Sequence, residues 1–278
     1  DIVCLQEVQS DQFENFFRPQ LERHGYKGFY KRRTSDILRF NPQLLDGCAT
    51  FYQKEKFSQV KKYEVEFNKT VQSDNIALIL VLQTKFFSSG QSTQHLLCVA
   101  NTHVCLRHDF SDMKIYQVHS LLRGLERIAA AADMSVILCG DFSAIPGSAI
   151  HCLVAMGQID RFHPDVKHQQ RANVLPPFAL THQLPLVSAY SSFLRQGTME
   201  HKKRMHPPTN EPRFTHCTRD FVGTVDYIFY SADSMSVESL LELMDIEELK
   251  RNLILPSADW SSDHIALMAE FRCVPRQR

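Results

Sequence analysis

The chain has no surplus of either charge: Lys+Arg 31 are matched by Asp+Glu 31 in 278 residues. A protein that holds polyanions indiscriminately carries an excess of Lys and Arg. Bulk attraction to nucleic acid or acidic membranes is therefore excluded, while local basic patches stay open. No C-x-x-C pair occurs among the eight cysteines, most of which sit in apolar, strand-like runs such as Val136 to Cys139, so reduced, buried thiols are expected. No charged n-region with an apolar h-region opens the chain. The longest clean apolar run, Ile76 to Leu82, falls far short of the roughly 18 residues of a membrane span, which points to an intracellular protein with no membrane partner. Repeats, low-complexity tracts and composition breaks are also lacking. With 44% hydrophobic residues a sizeable core is expected, in one mixed α/β domain over 1–278. The chain opens on Asp1 inside an apolar run, so something N-terminal is expected to be missing.

What is present alternates between apolar runs and polar punctuation. Ile2 to Val8 reads as a buried strand ending in a carboxylate, and Phe13, Phe16, Phe17 and Leu21 fall at helical spacing before Gly25. Three β-rich runs follow, Cys48 to Tyr52, Phe57 to Phe67 and Ile76 to Phe86, and then His95 to Val104. Ser111 is placed to cap a helix with Tyr116, Val118, Leu122 and Leu125 on one stripe, and Ser135 to Cys139 is another buried strand. From Ala149 to about Arg213 the prolines predict a long surface insertion with short helices. Strands return at Thr224 to Tyr230, Met235 to Leu241 and His264 to Phe271, with a helical piece near Ile246 to Asn252.

Polar residues cluster at the ends of these strands, where a sheet presents function. Glu7, Asn101 with His103, Asp141, and Asp263 with His264 all stand at such ends, and Asp226 lies among apolar neighbours where it needs a partner. Carboxylates with imidazole suit metal-assisted phosphodiester hydrolysis. A metal polarises the phosphoryl oxygens, an acid orients or deprotonates water, and an imidazolium steadies developing charge. Magnesium needs only one or two protein carboxylates. Each residue alone also reads structurally: Glu7 as a capping acid, His103 as a hydrogen-bonded core histidine, Asp226 as half of an ion pair.

Taken together, the motifs resemble the endonuclease/exonuclease/phosphatase superfamily in order and spacing over nearly the whole chain. They are Cys4-Leu-Gln-Glu-Val8, Asp46-Gly-Cys-Ala49, Asn101-Thr-His103, Cys139-Gly-Asp-Phe142, Val225-Asp-Tyr-Ile-Phe-Tyr230 and Ser261-Ser-Asp-His264. Arg18-Pro-x-Leu21, Asp74-Asn-Ile76 and Trp260 to Ala266 are similar to its deadenylase branch, that of the plant-type carbon catabolite repressor protein 4 homologues, poly(A)-specific 3′ exoribonucleases. The resemblance implies an α/β fold, a four-layer α/β/β/α sandwich whose first strand precedes Asp1. It implies magnesium (or manganese) on Glu7, water oriented by Asp141, His264 on the scissile phosphate assisted by Asp263 or Asp226, and His103 lining the site. Phe214 would stack on adenine, beside His216. It also implies poly(A) RNA as substrate, other subunits of a deadenylase complex through an adaptor, and the cytoplasm and nucleus as location.

The match has gaps. The superfamily reads Gly-Asp-x-Asn where this chain has Gly140-Asp141-Phe142-Ser143. A serine there has one short O–H in place of an amide, and losing a preorganised donor costs about 10²- to 10³-fold in rate. His216 stands where the branch usually has Asn, and the loop from Phe67 to Asp74 is shorter than in relatives. A non-catalytic RNA- or partner-binding relative and a nocturnin-like dinucleotide phosphatase are the alternatives. The basic runs Lys31 to Arg33, Lys61-Lys62 and His201 to Arg204 are candidates for holding an RNA backbone.

Overall fold

In the computed structural model the described residues are 1–33, 46–67, 75–85, 95–104, 111–160, 162–167, 175, 179–193, 199–245 and 255–274. The anticipated helix near Ile246 and the loop over 68–74 lie outside them. A six-stranded sheet runs through the middle, in the order β4 (Phe57–Glu66), β5 (Ile76–Thr84), β6 (Leu96–His103), β7 (Ser135–Asp141), β11 (Asp226–Ser231), β8 (Leu186–Ser188). Only β6 and β7 pair in parallel, joined by the helix α3 (Ser111–Ala130); the other pairs are antiparallel.

The central strands are buried on both faces, which is why they read as unbroken apolar runs. Along β5, Ala77, Ile79 and Val81 enter a core under α3 and α4 (Ala149–Met156), while Ile76, Leu78, Leu80 and Leu82 enter a second core on the opposite side. That second core is closed by a smaller β layer, in which β1 (Ile2–Gln9), β3 (Asp46–Gln53) and β2 (Tyr26–Arg32) lie in the order β1-β3-β2, and by the ribbon of β12 (Met235–Leu240) with β13 (Ala269–Cys273). Ile2, Cys4, Ala269 and Phe271 all pack on it. Outside the small layer, Phe13 meets Ala49 and Phe51 in a third cluster, covered by α1 (Ser10–Gln12), a π-helical turn (Phe13–Phe17) and α2 (Arg18–Arg23). The stack is helix, sheet, sheet, helix, the expected four layers. Each fully buried Leu, Ile or Val contributes about 1.5–3 kcal/mol.

Several expectations needed correction. The region from Ala149 to Arg213 is no surface insertion: Leu153, Val154, Ile159, Leu180, Leu186, Ala189, Tyr190 and Met205 are buried, and β8 extends the main sheet. Glu211 accounts for part of this. It is buried, accepts from Ser188 Oγ at 2.8 Å and lies 3.2 Å from His151 Nε2, which pins the excursion to strand and helix. The last strand starts at Ala269 rather than His264, because residues before it are held by Tyr190 Oη, which donates to Met268 O and accepts from Met268 N. The helix after β1 is interrupted by the π turn. The seven described cysteines are free thiols, and no described helix is long and apolar enough to cross a membrane.

Candidate active site

Three neighbouring strands deliver the floor of the site. His103 at the end of β6 is in register with Asp141 on β7, and Asp141 is in register with Asp226 on β11. By strand parity all three share the face of Val99, Ile137 and Ile228, which packs between the two β layers. Gly140 permits this close approach, since its φ is +137° and an added Cβ would lie 1.9 Å from the Thr102 carbonyl oxygen.

Glu7 arrives from the facing layer by a break in pairing. Leu5 opposes Ala49 and Val8 opposes Gly47, so Gln6 and Glu7 together face one residue, a β-bulge, and Glu7 has φ 55°. Val3 and Leu5 point to the outer helix, and after the bulge Val8 takes that face. The bulge thus re-aims Glu7 toward the cleft, a recurrent use of such irregularities. Asn101 secures it: its buried amide donates to Leu5 O and Ala49 O at 3.1 and 3.0 Å and accepts from Gln6 Nε2 at 2.7 Å.

Charge is distributed unevenly over this frame. Burial, then Asp226, raise Asp141 to about 7, against the Ser143 N–H bonded to its Oδ1 at 2.6 Å and the charge of His264. Partial loss of hydration and then Asp46 push Glu7 upward, against Arg33 and His264. Burial works to lower His264, but the 2.8 Å contact of its Nδ1 with Asp226 Oδ2 and the nearby acids raise it to about 9, so it is an imidazolium at neutral pH. His103 is the opposite case. Burial, Arg33 and His264 lower it to about 3. Arg33 Nη2 donates to its Nδ1, which leaves the Nε2–H facing Asp141 Oδ2 at 3.5 Å.

Two donor groups could hold cations here: Glu7, Asp46 and His103, and Asp141, Asp226 and His264, each with atoms within 4.8 Å of one another. A hard divalent ion fits the oxygens of these groups. The fit rests on the carboxylate oxygens gathered at this spacing; burial and then neighbouring acids, which raise Glu7 and Asp141, are penalties that a bound cation would offset.

The structure brings Glu7, His103, Asp141, Asp226 and His264 together and reassigns others. His103 is 1% exposed, so it does not reach substrate; its buried Nε2 lies 3.5 Å from Asp141 Oδ2 without a hydrogen bond. Asp226, not Asp263, holds His264; Asp263 Oδ2 instead lies 3.3 Å from His216 Nε2. Ser143 has φ 46°, and its hydroxyl lies 3.4 Å from both Val104 O, after β6, and Asp141 Oδ1 in its own turn. Phe214 cannot stack on a base, because it is 4% exposed and packed with Cys217, Leu255 and Ile265. The aromatic face at the rim is Phe221, half-buried and 5.4 Å from the His216 ring. Arg33, Asp46, Gln6 and Phe221 were missed. Asp46 and Gln6 stand inside quoted motifs and Arg33 inside a basic run, whereas Phe221 carried no signal. The basic runs are largely absorbed: Lys31 pairs with Glu64 and Glu66, Lys62 with Glu64, Arg33 with Asp46 and Arg204 with Glu242.

Comparison with known proteins gives a consistent picture. The model of the Endonuclease/Exonuclease/phosphatase family matches residues 1–264. Carbon catabolite repressor protein 4 homolog 1 of Arabidopsis thaliana is 52% identical over 305 residues, covering 100% of this chain and 51% of that protein. The CCR4-Not complex 3′-5′-exoribonuclease subunit Ccr4 of Coccidioides immitis (strain RS) is 29% identical over 98% of this chain and 41% of its own. The chain thus spans about half or less of these relatives. Among solved structures, that of ANGEL2, a 2′,3′-cyclic phosphatase, in complex with adenosine-2′,3′-vanadate, superposes with a TM-score of 0.80 at 30% identity, over 98% of this chain and 82% of that one.

Proposed function

Because the chain belongs to the Endonuclease/Exonuclease/phosphatase family, we propose that it is a magnesium-dependent 3′-5′ exoribonuclease that shortens poly(A) tails. The observation that carries this reading is the pairing, within one cleft, of a carboxyl group near neutrality with an imidazolium. Asp141, raised to about 7, is suited to orient water and take its proton as the water oxygen bonds to phosphorus. His264, held charged by Asp226, donates a hydrogen bond to a phosphoryl oxygen as the P–O bond to the shortened strand breaks; the departing 3′ oxygen takes a proton from solvent water, and a nucleoside monophosphate is released. Glu7 and Asp46 would hold the ion, which when bound polarises the phosphoryl oxygens and offsets charge on the leaving oxygen.

Base recognition falls to the half-buried Phe221 rather than the buried Phe214, since an accessible aromatic face stacks on a single-stranded base at about 1–3 kcal/mol. The name of the fungal relative, a subunit of the CCR4-Not complex, supports membership of a deadenylase complex; cytoplasm and nucleus are proposed as its location on the sequence resemblance alone. The likeness to ANGEL2 favours a second reading, in which the same groups open a 2′,3′-cyclic phosphate.

One assay tests both. RNA labelled at the 5′ end and carrying 3′ oligo(A), oligo(U) or oligo(C) tails, or a terminal 2′,3′-cyclic phosphate, is incubated with magnesium or EDTA. Stepwise, magnesium-dependent loss of A is the expected result. Opening of the cyclic phosphate without shortening would select the second reading, and no reaction by folded protein would leave a non-catalytic binder.

A further inference from the structure

The rim of the cleft holds a donor set unlike that of the floor. His216, on β9 (His216–Cys217), bridges to His264, and the two imidazoles stack with centroids 4.2 Å apart and planes at 11°. Asp263 Oδ2 lies 3.3 Å from His216 Nε2, and one donor atom from each of His216, Asp263 and His264 lies within 4.8 Å of the others. The backbone fixes this arrangement: Cys217 N donates to Asp263 O at 2.9 Å and Ile265 N to Thr215 O at 2.7 Å. All three side chains are partly exposed, so an ion reaches them from solvent.

We propose that His216, Asp263 and His264 form a transition-metal site, taking zinc in preference to magnesium. Two imidazoles and a carboxylate are a borderline-soft set that suits zinc, whereas magnesium is held through oxygen. Tetrahedral ligands about 2.0–2.1 Å from zinc stand roughly 3.3–3.4 Å apart, and the His216–Asp263 pair already has this spacing. Closing the third ligand requires the stacked rings to fan apart by side-chain rotation. The Nδ1 of His264 is occupied by Asp226, leaving Nε2 for the ion. That is the carboxylate–histidine–metal relay which orients most ligating histidines. Zinc must displace the proton of His264, which lowers affinity without changing the ligand set. The effect on turnover, and it alone, rests on the function proposed above: zinc on His264 removes the imidazolium from the phosphate and inhibits.

The test is calorimetric titration of the whole protein with zinc in excess magnesium, with cobalt absorption as the second readout. One zinc per chain is expected, with cobalt bands free of thiolate charge transfer. His216→Asn, which keeps a hydrogen-bonding partner for Asp263, should weaken zinc at least as much as loss of an outer-sphere partner does, about 10- to 100-fold. Asp263→Asn should do the same, and Cys273→Ser should leave binding unchanged. Wild-type affinity in folded His216→Asn, or thiolate bands with cobalt, would overturn the site. Absence of deadenylation would not, because binding is read without turnover.

Discussion

The floor and the rim of the cleft are built by different means. His103, Asp141 and Asp226 come from neighbouring strands in unbroken register, are wholly or largely buried, and sit where the backbone has no freedom. Glu7 comes from a bulge at a left-handed φ, and His216, Phe221, Asp263 and His264 come from short bridges and irregular chain, all partly exposed or exposed. The floor sets protonation, because burial and mutual charge act there with little solvent to damp them. The rim sets what docks. In this molecule precision in the reacting groups comes from the sheet and adaptability from its edges.

The contrast can be broken most severely at Gly140. Gly140→Ala puts a Cβ into the Thr102 backbone, and the loss should exceed about 4 kcal/mol. Thermal melting should show a fall of roughly 10 °C or more, or no folded protein. At the rim, Glu7→Gly should behave conversely. Glycine accepts the φ of 55°, relieving about 1–2 kcal/mol against its greater backbone entropy, so melting should hold or rise. Magnesium-dependent turnover should fall about 10²- to 10³-fold. A turnover unchanged by this substitution would remove Glu7 from the site.

Ser143→Asn joins the two regions. Asn tolerates the left-handed conformation better than Ser and restores an amide donor beside Asp141, so turnover should rise about tenfold with a small gain in stability. The smallest effect is on the pH dependence of folding. His264 is raised from 6.5 to about 9, so its contribution is fully present below about 6.5 and is lost as pH rises through 9. Metal-free protein should melt progressively lower over that window, and Asp226→Asn should flatten the slope.

The floor was legible in the sequence because its strands are apolar on both faces and their polar ends stand out. The rim was only half legible. Nothing in Leu5-Gln-Glu-Val8 signals a bulge, since a Glu at positive φ is held there by Asn101 from another strand. Phe214 and Phe221 are equally aromatic in sequence, and only packing with Leu255 and Ile265, far along the chain, separates the buried ring from the half-buried one. The sequence offers Asp226 and Asp263 alike as partners of His264, and the choice between them is a matter of tertiary geometry. The strand β8 was hidden by its shortness and the proline before it.

Among the described residues, β1 pairs only with β3 and β13 only with β12, although both rest on the same core. Each presents a row of backbone donors and acceptors to any extended chain. Because the bulge interrupts β1 between Leu5 and Val8, a strand laid along Ile2 to Leu5, from whatever source, would brace the segment that leads into Gln6 and Glu7.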